Sequence, residues 1–133
     1  MTVSLSEKNP VALIIEDNED VAHICRIALE QAGFEVEVAP DGRIALERLA
    51  TITPALIILD LHLPYVSGHQ ILHYIHTQEY VLKPQVVLAT ADLLRAEKLQ
   101  NEVDFVLVKP FGFIKLYELA KKLRFSNIGI ELK

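Results

Sequence analysis

Five short strand-like segments, which alternate with helix-like segments, constrain the fold of this chain more than any other feature. The clearest is Leu56-Ile57-Ile58-Leu59, a run of large aliphatic residues that stops at Asp60. A short, unbroken apolar run with β-branched members is typical of a strand buried on both faces of a parallel sheet. Similar segments occupy 11–15, 85–89 and 104–108. The segment 34–38 alternates apolar and charged residues, which predicts an edge strand with one face in water.

The segments between these strands carry apolar residues at helical spacing. In the first of them, the predicted buried stripe consists of Val21, Ile24, Cys25, Ala28 and Leu29. The fourth predicted helix ends near Asn101, and a fifth follows the last strand. Strand and helix therefore alternate five times, which predicts an α/β fold, a parallel sheet covered by helices on both faces.

Composition excludes several classes of protein. The length of 133 residues fits one domain, and the net charge of −5 argues against direct nucleic-acid binding. No apolar run approaches the roughly 20 residues of a membrane helix, and the first ten residues lack an apolar signal core. Cys25 is the only cysteine, so no internal disulfide forms. These observations predict a cytoplasmic location, with Cys25 as a small core residue.

Four of the five predicted strands end at charged or hydroxyl-bearing residues: Glu16-Asp17, Asp60, Thr90 and Lys109. The carboxyl ends of strands in such a sheet meet at one edge, where ligands bind. Three carboxylates gathered there repel one another unless a cation joins them, and oxygen ligands of this kind favour Mg²⁺. One aspartate could act as a nucleophile, while a hydroxyl and an ammonium bind phosphoryl oxygens. The set therefore predicts a phosphorylatable aspartate.

Simpler interpretations exist for each residue alone. Asp17 could cap the first helix, and Thr90 could cap the fourth. Lys109 alone is typical of a solvated charge. The joint placement of all four sets at strand ends is what favours a functional site.

Three histidines form a separate pattern. His69, His73 and His76 share one face of the third predicted helix, where they could bind zinc or copper. We favour an exposed polar face instead, because no fourth ligand is evident.

Four motifs follow one another along the chain: Glu16-Asp17, then Asp60-Leu61-His62-Leu63-Pro64 with Gly68, then Thr90-Ala91, then Lys109-Pro110-Phe111. In this order, and at these strand ends, they resemble the receiver domain of two-component response regulators. The resemblance covers residues 10–124 and implies a flavodoxin-like fold with five parallel strands in the order 2-1-3-4-5. Residues 1–9 are then expected to form a flexible lead-in, and residues 125–133 a C-terminal tail with no role assigned.

The resemblance also implies a signalling reaction. Asp60 would accept a phosphoryl group from the phosphohistidine of a sensor histidine kinase or a histidine phosphotransfer protein. Mg²⁺ would bind to Asp17, to Asp60 and to the backbone carbonyl of His62, with Glu16 acting through water.

The remaining motifs would complete the switch. Thr90 and Lys109 would bind phosphoryl oxygens, and the Lys109–Pro110 peptide bond would be cis. The phosphorylated protein would control an output partner at the face of the fourth and fifth helices. Such a protein catalyses only the phosphorylation and dephosphorylation of its own aspartate.

Four positions depart from the usual family pattern. Glu16 stands where aspartate is commoner, and His62 and Asp92 flank the expected phosphoryl group. Val106 occupies the place of the usual aromatic switch residue. We expect switching without an aromatic flip, because Phe105 and Val106 should point to opposite faces of their strand.

Other functions are less well supported. An aspartyl phosphatase would need a second aspartate two residues after Asp60, but this position is occupied by His62. A phosphate-independent docking module with this fold would be expected to lose one of the motif residues, and a nucleotide-binding fold would need glycine in the turn 16–20. No helix-turn-helix pattern follows Arg124, so the chain is expected to be a stand-alone receiver or a piece of a longer protein.

Overall fold

The computed structural model describes residues 9–127, which form five strands and five helices in strict alternation. The strands are β1 (Val11–Ile15), β2 (Glu35–Ala39), β3 (Leu56–Leu59), β4 (Gln85–Thr90) and β5 (Phe105–Val108). The helices are α1 (Glu19–Gln31), α2 (Gly42–Leu49), α3 (Gly68–Thr77), α4 (Leu93–Leu99) and α5 (Gly112–Asn127). All strand pairs are parallel, in the order β2-β1-β3-β4-β5, which confirms the predicted fold class.

The hydrophobic core lies on both faces of the sheet. Along β3, Ile58 packs among residues of α1 and α5, whereas Ile57 and Leu59 pack among residues of α2, α3 and α4. All four residues of β3 are buried, which explains why this strand is a continuous apolar run. At the edge of the sheet, β2 keeps Glu35 in solvent, as the alternating pattern predicted.

Four helices begin with a side-chain cap at the same edge of the sheet. The caps are Asn18, Asp41, Ser67 and Asp92, and each side chain accepts a hydrogen bond from the backbone N–H three residues later. Such caps satisfy N–H groups that have no partner inside the helix. They place the helix starts directly beside the carboxyl ends of the strands.

Some boundaries and faces differ from the sequence predictions. Ile24 is 44% exposed rather than part of the buried stripe of α1. Helix α4 ends at Leu99 instead of near Asn101, because Glu102 N–H bonds to the Leu99 carbonyl and starts a turn. Helix α5 continues to Asn127, into the stretch that had no assignment. The expected lead-in, apart from residue 9, and residues 128–133 of the tail lie outside the described residues.

No helix within residues 9–127 is both long enough and apolar enough to cross a membrane.

Candidate functional site

The sheet topology brings the predicted site residues to one edge. Glu16 and Asp17 follow β1, Asp60 follows β3, Thr90 ends β4 and Lys109 follows β5. These four strands are consecutive neighbours in the sheet. Since all run in the same direction, their carboxyl ends face a common rim.

Three carboxylates form a cluster at the centre of this rim. One oxygen each from Glu16, Asp17 and Asp60 lies within 4.8 Å of the others. Glu16 and Asp60 are buried, whereas Asp17 faces solvent. The alternative assignment of Asp17 as a helix cap is wrong, because the Asn18 side chain accepts the N–H of Val21 at 3.0 Å and caps α1.

Lys109 reaches into the acidic cluster. Its Nζ donates to Glu16 Oε1 at 2.6 Å and lies 3.5 Å from Asp60 Oδ2. The lysine side chain is 21% exposed, so its interpretation as a solvated charge is wrong. The Lys109–Pro110 peptide bond is cis, as the resemblance implied.

Burial and charge shift the pKa values of this pair. Burial raises the pKa of Glu16 above its ordinary value, and the nearby negative charge of Asp60 raises it further, against the hydrogen bond from Lys109. Burial by itself lowers the pKa of Lys109. The hydrogen bond to Glu16 and the charges of Asp60 and Glu16 outweigh that effect, and the pKa of Lys109 is raised. The lysine therefore stays an ammonium ion at neutral pH.

The loop after β3 is packed closely against the start of α3. The N–H of His62 donates to Asp60 Oδ1 at 3.4 Å. A Cβ atom on Gly68 would lie only 2.6 Å from the Asp60 carbonyl oxygen and 2.6 Å from Leu61 Cα. Glycine is required at this point because the helix start and the loop approach too closely for a side chain.

Thr90 lies at the end of β4 with its side chain fully buried. Its Oγ1 accepts the N–H of Asp92 at 3.0 Å. Thr90 is not the cap of α4, as the simpler interpretation proposed, because Asp92 accepts the N–H of Arg95 at 3.1 Å.

The side chains of His62 and Asp92, which flank the acidic cluster, contact each other. His62 Nε2 lies 3.3 Å from Asp92 Oδ2, and Arg95 Nε lies 3.4 Å from the same oxygen. The pKa of Asp92 is lowered, mainly by the hydrogen bond from the Arg95 backbone, and the contacts with His62 and the Arg95 charge add to this. The loops after β3 and β4 are thus joined beside the acidic cluster.

The acidic cluster fits a small divalent cation. Its donors are carboxylate oxygens, which hard cations prefer, and one of them is open to solvent. Mg²⁺ usually takes only one or two protein carboxylates and keeps several waters, so three converging acids suffice.

The three histidines of α3 do not converge. His76 Nε2 lies 2.8 Å from the Glu102 carbonyl oxygen, at the opposite edge of the sheet from the acidic cluster. His69 and His73 line a groove beside Leu46 instead. Within residues 9–127, the acidic cluster is the only group of three or more His, Cys, Asp or Glu residues placed to hold a metal ion.

Two features near the site were missed by sequence reasoning. A groove of about 160 Å³ lies between α1 and the β5–α5 loop, lined by Val21, Ile24, Cys25, Lys109, Pro110, Phe111 and Gly112. Tyr65, in the loop after β3, has a positive φ of 69°. The apolar Ile24 was a signal for the groove, but it was assigned to the core; nothing in the sequence marks the backbone of Tyr65.

Comparisons with known proteins agree with this geometry. A family model described as the response regulator receiver domain matches residues 12–121. The sensor histidine kinase TmoS of Ectopseudomonas mendocina is 35% identical over 122 residues, 90% of this chain and 12% of that protein. The transcriptional regulatory protein TrcR of Mycobacterium tuberculosis is 32% identical over 114 residues, 84% of this chain and 43% of that protein.

Solved structures show the same fold. The Francisella response regulator 1452 receiver domain superposes with a TM-score of 0.77 at 26% identity, covering 89% of this chain and 98% of that one. The chain spans less than half the length of TmoS and TrcR. The family model nevertheless matches most of the present sequence, so the chain belongs to the response regulator receiver domain family.

Proposed function

We propose that this chain is a phospho-accepting switch in a two-component phosphorelay, with Asp60 as the acceptor. The observation that carries the proposal is the position of Asp60, a buried carboxylate that lies beside two other acids and 3.5 Å from the Lys109 ammonium group. The donor would be the phosphohistidine of a sensor histidine kinase or a histidine phosphotransfer protein.

The chemistry follows from the groups around Asp60. A carboxylate oxygen of Asp60 attacks the phosphorus of the phosphohistidine, and an acyl phosphate forms. The phosphorus–nitrogen bond breaks, and its electron pair stays on the imidazole of the donor, which takes up a proton. The Lys109 ammonium is within reach of an added phosphoryl oxygen, where it offsets the negative charge that builds up in the transition state.

Mg²⁺ would be held by the acids already gathered at the rim. Asp17 and Asp60 would bind it with the backbone carbonyl of His62, and Glu16 would act through water. The bound ion supplies positive charge that offsets the repulsion between the carboxylates and the incoming phosphoryl group.

Thr90 is suited to pass the signal to the sheet edge. Its buried hydroxyl oxygen accepts the N–H of Asp92, and the O–H of the same group can still donate to a phosphoryl oxygen. A shift of Thr90 toward Asp60 would pull on Asp92, which caps α4. Phosphorylation would thus bias the position of α4.

The output partner would dock at the face of α4 and α5. The exposed large apolar residues of this part of the fold are Leu93, Leu94, Phe105, Val108 and Ile114. They belong to α4, β5 and α5, which follow one another at the edge of the sheet. Exposed apolar groups of this kind are typical of a surface that binds another protein.

Incubation with Mg²⁺ and acetyl phosphate, followed by intact mass measurement, tests this function. We expect the gain of one phosphoryl group. No gain should occur when EDTA is added before the donor, and hydroxylamine, which cleaves acyl phosphates, should remove the group once it has formed. A phosphatase would instead turn over p-nitrophenyl phosphate continuously, which we do not expect. A protein that stays unlabelled with every small donor and with a phosphorylated histidine kinase contradicts the proposal.

A further inference from the structure

The loop between Asp60 and α3 contains a strained turn centred on Tyr65. Its φ of 69° is the only positive φ of a residue other than glycine within residues 9–127. The N–H of Val66 donates to the Pro64 carbonyl at 2.8 Å, which closes a three-residue γ-turn around Tyr65. A γ-turn with positive φ is strained, and a bulky side chain rarely adopts it. Contacts outside Tyr65 must therefore hold this conformation.

The turn rests on the first residue of α2. Gly42 N–H donates to the Pro64 carbonyl at 3.3 Å, so the same oxygen takes two hydrogen bonds. A Cβ atom on Gly42 would lie 2.1 Å from the Val66 carbonyl oxygen, which only glycine avoids. Relaxation of Tyr65 to a negative φ would break these contacts and redirect the chain between Asp60 and α3.

The next residue of α2 contacts the Tyr65 ring. The Arg43 guanidinium carbon lies 4.5 Å from the ring centroid, a cation–π arrangement. Tyr65 is 75% exposed, so burial of the ring does not explain its position. A cation–π contact at an exposed site changes a local equilibrium by about two- to fivefold.

We propose that Arg43 and Tyr65 are a positioning pair for the loop that follows Asp60. The stacked guanidinium offsets part of the free-energy cost of the strained turn. It thereby keeps the His62 carbonyl in the position from which it can bind the metal ion. The inference rests on the proposed function, since that function assigns this carbonyl to Mg²⁺. Loss of the stack lowers the population of the binding-competent loop, and the apparent Mg²⁺ affinity falls with it.

Substitutions at Tyr65 separate the ring from the backbone. Tyr65→Ala removes the ring and keeps the strain, so we expect the Mg²⁺ dissociation constant to rise about two- to fivefold. Tyr65→Gly removes the ring and the strain together, and Tyr65→Phe keeps the stack. Both should bind Mg²⁺ within about twofold of the unchanged protein.

Arg43→Ala distinguishes positioning from charge. The loss of a positive charge at this edge would by itself favour Mg²⁺ binding. Positioning predicts the opposite, a dissociation constant about two- to fivefold higher. In a Tyr65→Gly background the turn needs no support, so Arg43→Ala should no longer weaken binding.

The test is a double-mutant cycle of Arg43→Ala and Tyr65→Gly, with Mg²⁺ affinity measured by calorimetry. Solvent exchange of the Val66 amide, measured by NMR without Mg²⁺, should be about two- to fivefold faster in the single variant Arg43→Ala than in the unchanged protein. Tighter Mg²⁺ binding by Arg43→Ala, or equal weakening in both backgrounds, would overturn the pair. If the unchanged protein fails to bind Mg²⁺, the metal assignment fails, and the Val66 exchange rates alone decide the pair.

Discussion

Lys109 lies closer to Glu16 than to Asp60: its Nζ donates to Glu16 Oε1 at 2.6 Å and forms a longer ion pair with Asp60 Oδ2 at 3.5 Å. Glu16 is 4% exposed, and its other oxygen accepts the N–H of Asn18 at 3.2 Å. The longer side chain of glutamate thus holds the lysine beside the proposed acceptor. The ammonium remains close enough to move to a phosphoryl oxygen when one arrives.

Removal of this ammonium should separate metal binding from phosphorylation. Lys109→Ala should bind Mg²⁺ at least as tightly as the unchanged protein, because a competing cation has left an acidic site. Phosphorylation by acetyl phosphate should slow by about tenfold or more, because the transition-state charge loses its partner. Calorimetry and a timed mass assay measure the two effects. Lys98→Ala, a change at an exposed lysine of α4, is the matched control, and normal phosphorylation of Lys109→Ala would refute the role.

The acids of the cluster should contribute unequally to metal binding. Asp17→Asn should weaken Mg²⁺ binding about tenfold or more, because a direct ligand loses its charge. Glu16→Asp should change the affinity little, since a ligand that acts through water tolerates a shorter side chain. Asp20→Asn controls for the loss of one negative charge in the same region. If calorimetry gives the reverse order for the two acids, their roles are exchanged.

The buried thiol of Cys25 should make the fold sensitive to alkaline pH. Burial, with the charge of Glu16, raises the pKa of Cys25 from 9.0 to about 12. Above pH 9.0 the thiol of the unfolded chain loses its proton, while the thiol of the native protein keeps it up to about pH 12. The free energy of unfolding therefore falls as pH rises.

A comparison with Cys25→Ala isolates this effect. Between about pH 8 and about pH 10, the unchanged protein should lose on the order of 1 kcal/mol more unfolding free energy than the variant does. Urea denaturation at both pH values measures the difference. An equal loss in both proteins would show that the native thiol ionises as readily as the unfolded one.

The switch should work without an aromatic flip. Val106 packs with the core cluster of α3 and α4, whereas Leu107 packs on the opposite face with α5. Phe105 shares the face of Leu107 and is 41% exposed. To reach Thr90's side of the sheet it would need a register slip that turns Leu107 out of the core.

Structures with and without beryllium fluoride test this prediction. The Thr90 hydroxyl and Asp92 should move toward Asp60, and α4 should shift with its cap. Phe105 should stay where it is. A Phe105 ring beside Thr90 in the fluoride complex, or an unmoved Thr90 loop, would contradict the prediction.

The fold and the gathering of the site could be predicted because both follow from topology. Asp60, Thr90 and Lys109 each end a strand-like run, and parallel strands bring such residues to one edge without any knowledge of side-chain positions. The local roles of neighbouring residues could not be predicted in the same way. Asp17 and Asn18 are both residue types that cap helices, and only the backbone path selects Asn18.

The surface around the site was the least predictable part. Ile24 fits the apolar spacing of α1, yet it is 44% exposed and borders the groove beside the β5–α5 loop. Tyr65 carries no sequence signal for a positive φ, which glycine or asparagine would have given. Its turn depends on contacts with Gly42 and Arg43, which are distant in sequence.

The location of the phosphoryl group tests the central claim most directly. Borohydride reduces an aspartyl phosphate to homoserine, so treatment of the phosphorylated protein, followed by peptide mass spectrometry, marks the acceptor. We predict homoserine at position 60 alone, and no labelling of Asp60→Asn, because an amide cannot form the acyl phosphate. Homoserine at Asp17 or another acid, or equal phosphorylation of Asp60→Asn, would contradict the account.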